Sequence, residues 1–142
     1  MKRKYDIPYI ENLKGDEKQV VIIVHGFGSS MQSPTAQMVL ENLPMVGIGT
    51  IAFDFPAHGA SSVDGDMLSV ENCIEDLGAV EEYVRAKCPQ AEISYFGSSF
   101  GAYITLLYLT KHPEKKGKAF LRSAAVNMHV VFDNPTEAEA FA

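Results

Sequence analysis

At 142 residues, 46% hydrophobic and 21% charged, the chain has the size and apolar content of one globular domain, too short for a second. Its net charge is −6 and its basic residues cluster only at Lys2-Arg3-Lys4 and Lys115-Lys116, read as solvated surface, which disfavours a nucleic-acid or anionic-membrane partner. The basic N-terminus lacks a signal peptide's apolar stretch and no run approaches the roughly 18 apolar residues of a membrane span, so a cytoplasmic protein is expected.

Residues 5–10 are a weak strand candidate, and Pro8, which lacks a ladder donor, suits a sheet edge. After a polar turn over 12–18, Val20-Val-Ile-Ile-Val24 is a continuous β-branched run, as in a strand buried on both faces, and it ends in His25-Gly26-Phe27-Gly28. Ser33-Pro34 supplies an N-cap and a first-turn proline for a helix whose Ala36, Val39, Leu40 and Leu43 recur at helical spacing until Pro44. A strand over 48–53 leads into the loop Asp54-Phe-Pro-Ala-His58-Gly59-Ala-Ser61, and polar loop continues to Leu68. Ser69 caps a long helix with Val70, Cys73, Ile74, Leu77, Val80 and Val84 on one stripe and Glu71, Glu75, Glu81, Glu82 and Arg85 mainly away from it. Pro89 ends that helix. Cys73 and Cys88 both fall on it, and at about 1.5 Å per residue they stand roughly 22 Å apart, beyond disulfide reach, as core thiols.

Residues 92–101, Glu-Ile-Ser-Tyr-Phe-Gly97-Ser98-Ser99-Phe100-Gly101, join a short apolar strand to an apolar helix through Gly-x-Ser-x-Gly. Such a turn strains the backbone of Ser99 and requires its neighbours two residues away, Gly97 and Gly101, to lack side chains. It exposes the Ser99 hydroxyl above the strand, and the N–H of Phe100 at the helix N-terminus points where an oxyanion would form. The helix over 102–110 is apolar nearly all round, hence buried, and stops at Lys111-His112-Pro113. A strand over 118–125 follows, then a loop and the first turns of a helix opened by Asn134-Pro135. Strands alternating with helices make repeated βαβ units, so the fold class is α/β with a mainly parallel, doubly wound sheet. A dinucleotide-binding enzyme shares that class, although no Gly-x-Gly-x-x-Gly is present and the histidines and cysteines are too scattered for a metal site.

Three stretches, His25-Gly26-Phe27-Gly28, Asp54 to Ser61 and Gly97 to Gly101, resemble the α/β-hydrolase superfamily in order and spacing over residues 18–125. They look most like the branch of serine aminopeptidase-like hydrolases, monoacylglycerol lipases and cinnamoyl or feruloyl esterases. The resemblance implies a serine hydrolase of carboxylic esters or related acyl compounds, with a small-molecule acyl substrate and no cofactor. Carried over by position, Ser99 is the nucleophile and the backbone N–H groups of Phe27 and Phe100 form the oxyanion hole. His25, Gly26, Asp54 and His58 take the places of loop organisers.

A triad also needs an acid and a histidine, which this family places after later strands in the order Ser, acid, His. Only one strand is expected beyond the elbow. His112 sits at the far end of the elbow helix, and His129 with the downstream Asp133 is reversed relative to the family order. Residues 1–142 are therefore expected to form a single partial domain, the N-terminal part of an α/β-hydrolase fold truncated after the strand that follows the elbow. Its core spans 18–125, with 126–142 the start of a cap or tail. Alone it is expected to be inactive and to self-associate through its last strand; the alternative is a noncatalytic fragment or binding module on a hydrolase scaffold.

Overall fold

A computed structural model describes residues 1–115 and 117–122. Along the chain come β1 (Tyr9–Asn12), β2 (Gln19–Val24), α1 (Pro34–Asn42), β3 (Gly49–Phe53), α2 (Val70–Lys87), β4 (Glu92–Ser98), α3 (Phe100–Lys111) and β5 (Ala119–Arg122). The strands form one sheet in the order β1-β3-β2-β4-β5, in which β1 runs antiparallel to β3 and every other pairing is parallel. This is the mainly parallel, doubly wound sheet that the alternating pattern predicts.

β2 lies at its centre, and period-2 alternation sends its side chains to two cores. Val20, Ile22 and Val24 join Ile51, Phe53, Ile93 and Tyr95 beneath α2 and α3. Val21 and Ile23 join Ala52 beneath Ala36 and Leu40 of α1. Each such side chain stabilises by about 1.5–3 kcal/mol when fully buried, which is why β2 has no polar alternation. Both helix caps form from the expected serines: Ser33 Oγ accepts from Ala36 N at 3.2 Å and Ser69 Oγ from Asn72 N at 3.0 Å. Pro44 does not stop the helical path, because α1 passes into a 3₁₀ turn over Leu43–Val46 that Gly47 closes at φ 85°.

The first strand lies later than its pattern predicts, at Tyr9–Asn12 rather than 5–10. The residues before it are used otherwise. The Ile7 N–H donates to Met1 O at 2.8 Å, and Ile7 itself is buried. Arg3, expected as solvated surface, fastens this segment to α2: Nε donates to Asp76 Oδ1 at 2.6 Å and Nη1 to Glu75 Oε2 at 2.7 Å. The Tyr5 hydroxyl donates to the same Asp76 carboxylate at 2.8 Å.

A second correction concerns α2. Glu81, expected away from the apolar stripe, is only 1% exposed. It is buried because donors surround it: the hydroxyls of Tyr95 and Tyr108, Lys115 Nζ at 2.6 Å and Arg85 Nε at 2.6 Å. Lys115 is thus an internal partner rather than a solvated lysine. Cys73 and Cys88 are buried free thiols, and no helix among the described residues is long and apolar enough to cross a membrane.

Candidate active site

β4 ends at Ser98 and α3 begins at Phe100, so Ser99 alone makes the turn between them. Its backbone has φ 55° and ψ −118°. Among the described residues only Ala57 shares a positive φ without being glycine. Such a conformation costs on the order of 1–3 kcal/mol and persists only where its surroundings impose it. Here the Ser99 N–H donates to Arg122 O of β5 at 3.1 Å, while Ser99 O accepts from Ala102 N at 3.0 Å and Tyr103 N at 3.2 Å. Strand and helix therefore grip the residue from both sides.

The flanking glycines let the elements close on it. A Cβ on Gly101 would lie 2.1 Å from Val24 O, and one on Gly97 would lie 2.9 Å from Ala102 Cα. α3 thus begins directly against the end of β2. The loop after β2 also reaches Ser99, since a Cβ on Gly26 would lie 3.2 Å from Ser99 Cβ and 3.8 Å from Ser99 Oγ.

Asp54, His25 and His58 join the loops that follow β2 and β3. The Asp54 carboxylate accepts from Met31 N and from Ala60 N, each at 2.8 Å. His25 Nε2 accepts from Phe55 N at 3.1 Å, which leaves Nδ1–H to donate to Gly26 O at 2.7 Å. His58 Nε2 accepts from Gly28 N at 2.9 Å and its Nδ1–H donates to Pro56 O at 2.9 Å. An accepting ring nitrogen exists only on an uncharged imidazole, so these bonds select the neutral form. Burial pushes the His25 pKa down to about 4; the Gly26 carbonyl works against the shift, His58 adds to it and Asp54 opposes it.

Ring packing ties the same loops to the start of α3. The Phe27 and Phe100 rings meet edge to face with centroids 6.0 Å apart, Phe27 meets His58 at 5.4 Å, and Phe55 meets Phe100 at 5.7 Å. Between these loops and α1 opens a cleft of about 280 Å³, lined by residues that include Gly26, Phe27, Ser33, Thr35, Ser98, Ser99 and Arg122. It lies at the carboxyl ends of the strands, where open α/β sheets bind ligands. A larger cleft of about 640 Å³, lined by Glu11, Lys14, Lys18 and Gly47 among others, lies at the opposite ends.

Ser99, Gly26, Phe27, Phe100, His25, Asp54 and His58 are thus brought together. His112 is not: it caps the far end of α3, with Nδ1 3.4 Å from Glu114 Oε1, about 20 Å along the helix from Ser99. His129 and Asp133 lie outside the described residues. Among the described residues no group of three His, Cys, Asp or Glu side chains gathers to hold a metal. One residue of the cleft lining has no counterpart among the residues expected from the sequence: Arg122. Its signal is a cation ending the strand beside the elbow.

Proteins of known structure with this architecture are α/β hydrolases and esterases. Mouse alpha/beta hydrolase domain-containing protein 10 superposes with a TM-score of 0.73 at 21% identity, over 99% of this chain and 55% of its own. Est1E from Butyrivibrio proteoclasticus, solved with ferulic acid bound, gives 0.69 at 19% identity over 77% of this chain and 45% of its own. A cold-adapted esterase from an Arctic intertidal metagenomic library gives 0.68 at 20% identity over 81% and 54%. The fold is therefore that of the α/β hydrolases. Within them the chain belongs to the family described as serine aminopeptidase, S33, whose sequence model matches residues 15–141. It spans about half the length of the solved structures just named. No curated protein matches its sequence.

Proposed function

We propose that this chain carries the nucleophile side of a serine hydrolase site for carboxylic esters or related acyl compounds, within a single partial α/β-hydrolase domain whose core spans residues 18–125. Ser99 Oγ attacks the substrate carbonyl carbon and forms the new C–O bond. The carbonyl electron pair moves to oxygen, where the N–H groups of Phe27 and Phe100 stabilise the anion. The serine proton passes to a histidine base and then to the departing alkoxide. The acyl-enzyme left behind is hydrolysed by the same steps with water as nucleophile. His25, Gly26, Asp54 and His58 hold the two loops at the geometry this requires, and no cofactor takes part. The single observation that carries the reading is the positive φ of Ser99 in a one-residue link between strand and helix, with Gly26 packed against it. Membership of a serine aminopeptidase family and likeness in fold to an esterase support it.

The histidines nearest Ser99 do not supply the base. His25 and His58 each use both ring nitrogens on backbone partners, and a pKa near 4 makes His25 a poor proton acceptor at neutral pH. The 142-residue chain by itself is therefore expected to hydrolyse p-nitrophenyl butyrate at the background rate. That observation also favours the second reading, a noncatalytic chain that keeps the scaffold as a binding module. A turnover comparable with ordinary esterases, lost in Ser99→Ala, overturns the inactivity and makes His129 the next residue to replace.

The proposed location is the cytoplasm, in keeping with a chain whose two cysteines are buried and too far apart to pair with each other. We also propose that the isolated chain self-associates through β5. Among the described residues this strand is an outer strand of the sheet, and its Phe120 is 56% and Leu121 38% exposed. Only Lys118 and Arg122 blunt that edge with charge. Light scattering after size exclusion is expected to show a mass above that of one chain, rising with concentration; a monodisperse monomer at all concentrations excludes the edge contact.

A further inference from the structure

Arg122 is the last residue of β5 and stands opposite Ser98 in the parallel register. Paired residues of neighbouring strands leave the sheet on the same side, here the α1 side that Phe96 also occupies. The guanidinium crosses to the first turn of α1, where Nη1 donates to Thr35 Oγ1 at 3.0 Å, and both residues line the cleft with Ser99.

The partner is what sets this arginine apart. Arg3 is clamped by Glu75 and Asp76, and Arg85 by Glu81. Arg122 has a neutral hydroxyl and no carboxylate among the described residues, in a chain with 18 acidic residues and a net charge of −6. The other titratable residue of the cleft lining is His25, whose ring nitrogens are both held by backbone. One permanent positive charge thus lines a cleft that contains Ser99. A guanidinium offers five N–H donors in a planar fork, and Thr35 takes one nitrogen, so the geometry that grips a carboxylate in two parallel hydrogen bonds is still on offer. Neighbouring strands are about 4.8 Å apart and Ser99 follows Ser98 directly, so a ligand reaching from Ser99 to the guanidinium needs only a short spacer.

We propose that Arg122 makes the cleft selective for acyl compounds bearing a second, ionised carboxylate a few bonds from the scissile carbonyl, as in monoesters of short dicarboxylic acids. The proposal rests on Ser99 as the reacting residue, but the anion site does not require the reaction and can be probed without it. The probes are glutarate and its neutral isostere glutaramide, followed by ligand-observed NMR titration of the 142-residue chain, with a thermal melt of every variant. Wild type and Ser99→Ala are expected to bind glutarate alike and in preference to glutaramide, the preference weakening as salt is raised. Arg122→Gln should weaken glutarate by about tenfold or more, the size of a lost charge-assisted pair, and leave glutaramide unchanged. Arg122→Lys, which keeps the charge without the fork, should fall between them. Equal binding of the two probes by the wild type, or glutarate affinity unmoved in Arg122→Gln, overturns the proposal. Failure of the nucleophile assignment would look different: in a chain that includes the histidine base, ester turnover and fluorophosphonate labelling would survive Ser99→Ala while the glutarate preference stays intact.

Discussion

Ser99→Ala is expected to abolish covalent labelling by a fluorophosphonate and to lower ester turnover by about 10⁴–10⁶-fold in a chain that includes the histidine base. The size of the loss follows from what alanine removes. The oxyanion donors are backbone groups and survive, so binding and electrostatic stabilisation continue, but no covalent intermediate can form. Ser98→Ala is the control, because that residue is still in β4, paired with Arg122, and is outside the strained link. A change within about tenfold is expected there, the scale of an altered surface in the cleft rather than of a lost reacting atom. Equal losses from both substitutions would mean that the nucleophile has been placed wrongly. Turnover should also remain lost in Ser99→Ala whichever ester is used, which separates loss of the nucleophile from a change in substrate preference.

The sheet was legible because each strand carries its own reason for being one. Val20 to Val24 is apolar at every position, and only a strand covered on both faces can bury such a run, so α1 must lie on one face of the sheet and α2 and α3 on the other. Ser33 and Ser69 could be placed as caps because an N-cap is a local device whose donors lie within three residues. The turn at Ser99 was legible for a similar reason, since Gly97 and Gly101 report steric limits of a few ångströms. Polar residues whose partners are distant in sequence were not legible. Arg3 reads as part of a basic N-terminus until Asp76, more than seventy residues later, is brought beside it. The start of β1 was misplaced for that reason: the pattern over 5–10 records burial of Ile7, but Arg3, Tyr5 and Ile7 are tied to α2 and to Met1, and pairing with β3 begins only at Tyr9. Arg122 was visible as a cation near the elbow, yet its place in the cleft depends on the register between β4 and β5, which no local pattern reports.

Glu81→Ala is expected to destabilise the fold by about 3 kcal/mol, with a large fall in melting temperature and no direct effect on the cleft. Four donors from four parts of the chain converge on this carboxylate: Arg85 of α2 itself, Tyr95 of β4, Tyr108 of α3 and Lys115 beyond α3. Alanine leaves the two buried hydroxyls without their acceptor and opens a void where α2 meets the sheet. Arg85→Ala should cost less than about 1 kcal/mol, because the Arg85 side chain is half exposed and such pairs are screened by water. Burial by itself would raise the Glu81 pKa, but Lys115, Tyr108, Arg85 and Tyr95 outweigh it and hold the group down at about 2, against 4.5 for a free glutamate. A carboxyl group depressed in the folded state contributes its full stability above the unfolded value, and the contribution fades as pH falls from about 4.5 towards 2. Glu81→Gln keeps one acceptor for the tyrosines and cannot titrate in this range. It should therefore melt below the wild type at pH 7, by less than Glu81→Ala, and the gap should narrow as the pH is lowered through 4 towards 2.5. Melting curves of the three proteins at pH 7, 4 and 2.5 provide the check. A gap between wild type and Glu81→Gln that stays constant over that span would show that the ionised form of Glu81 is not what the four donors stabilise.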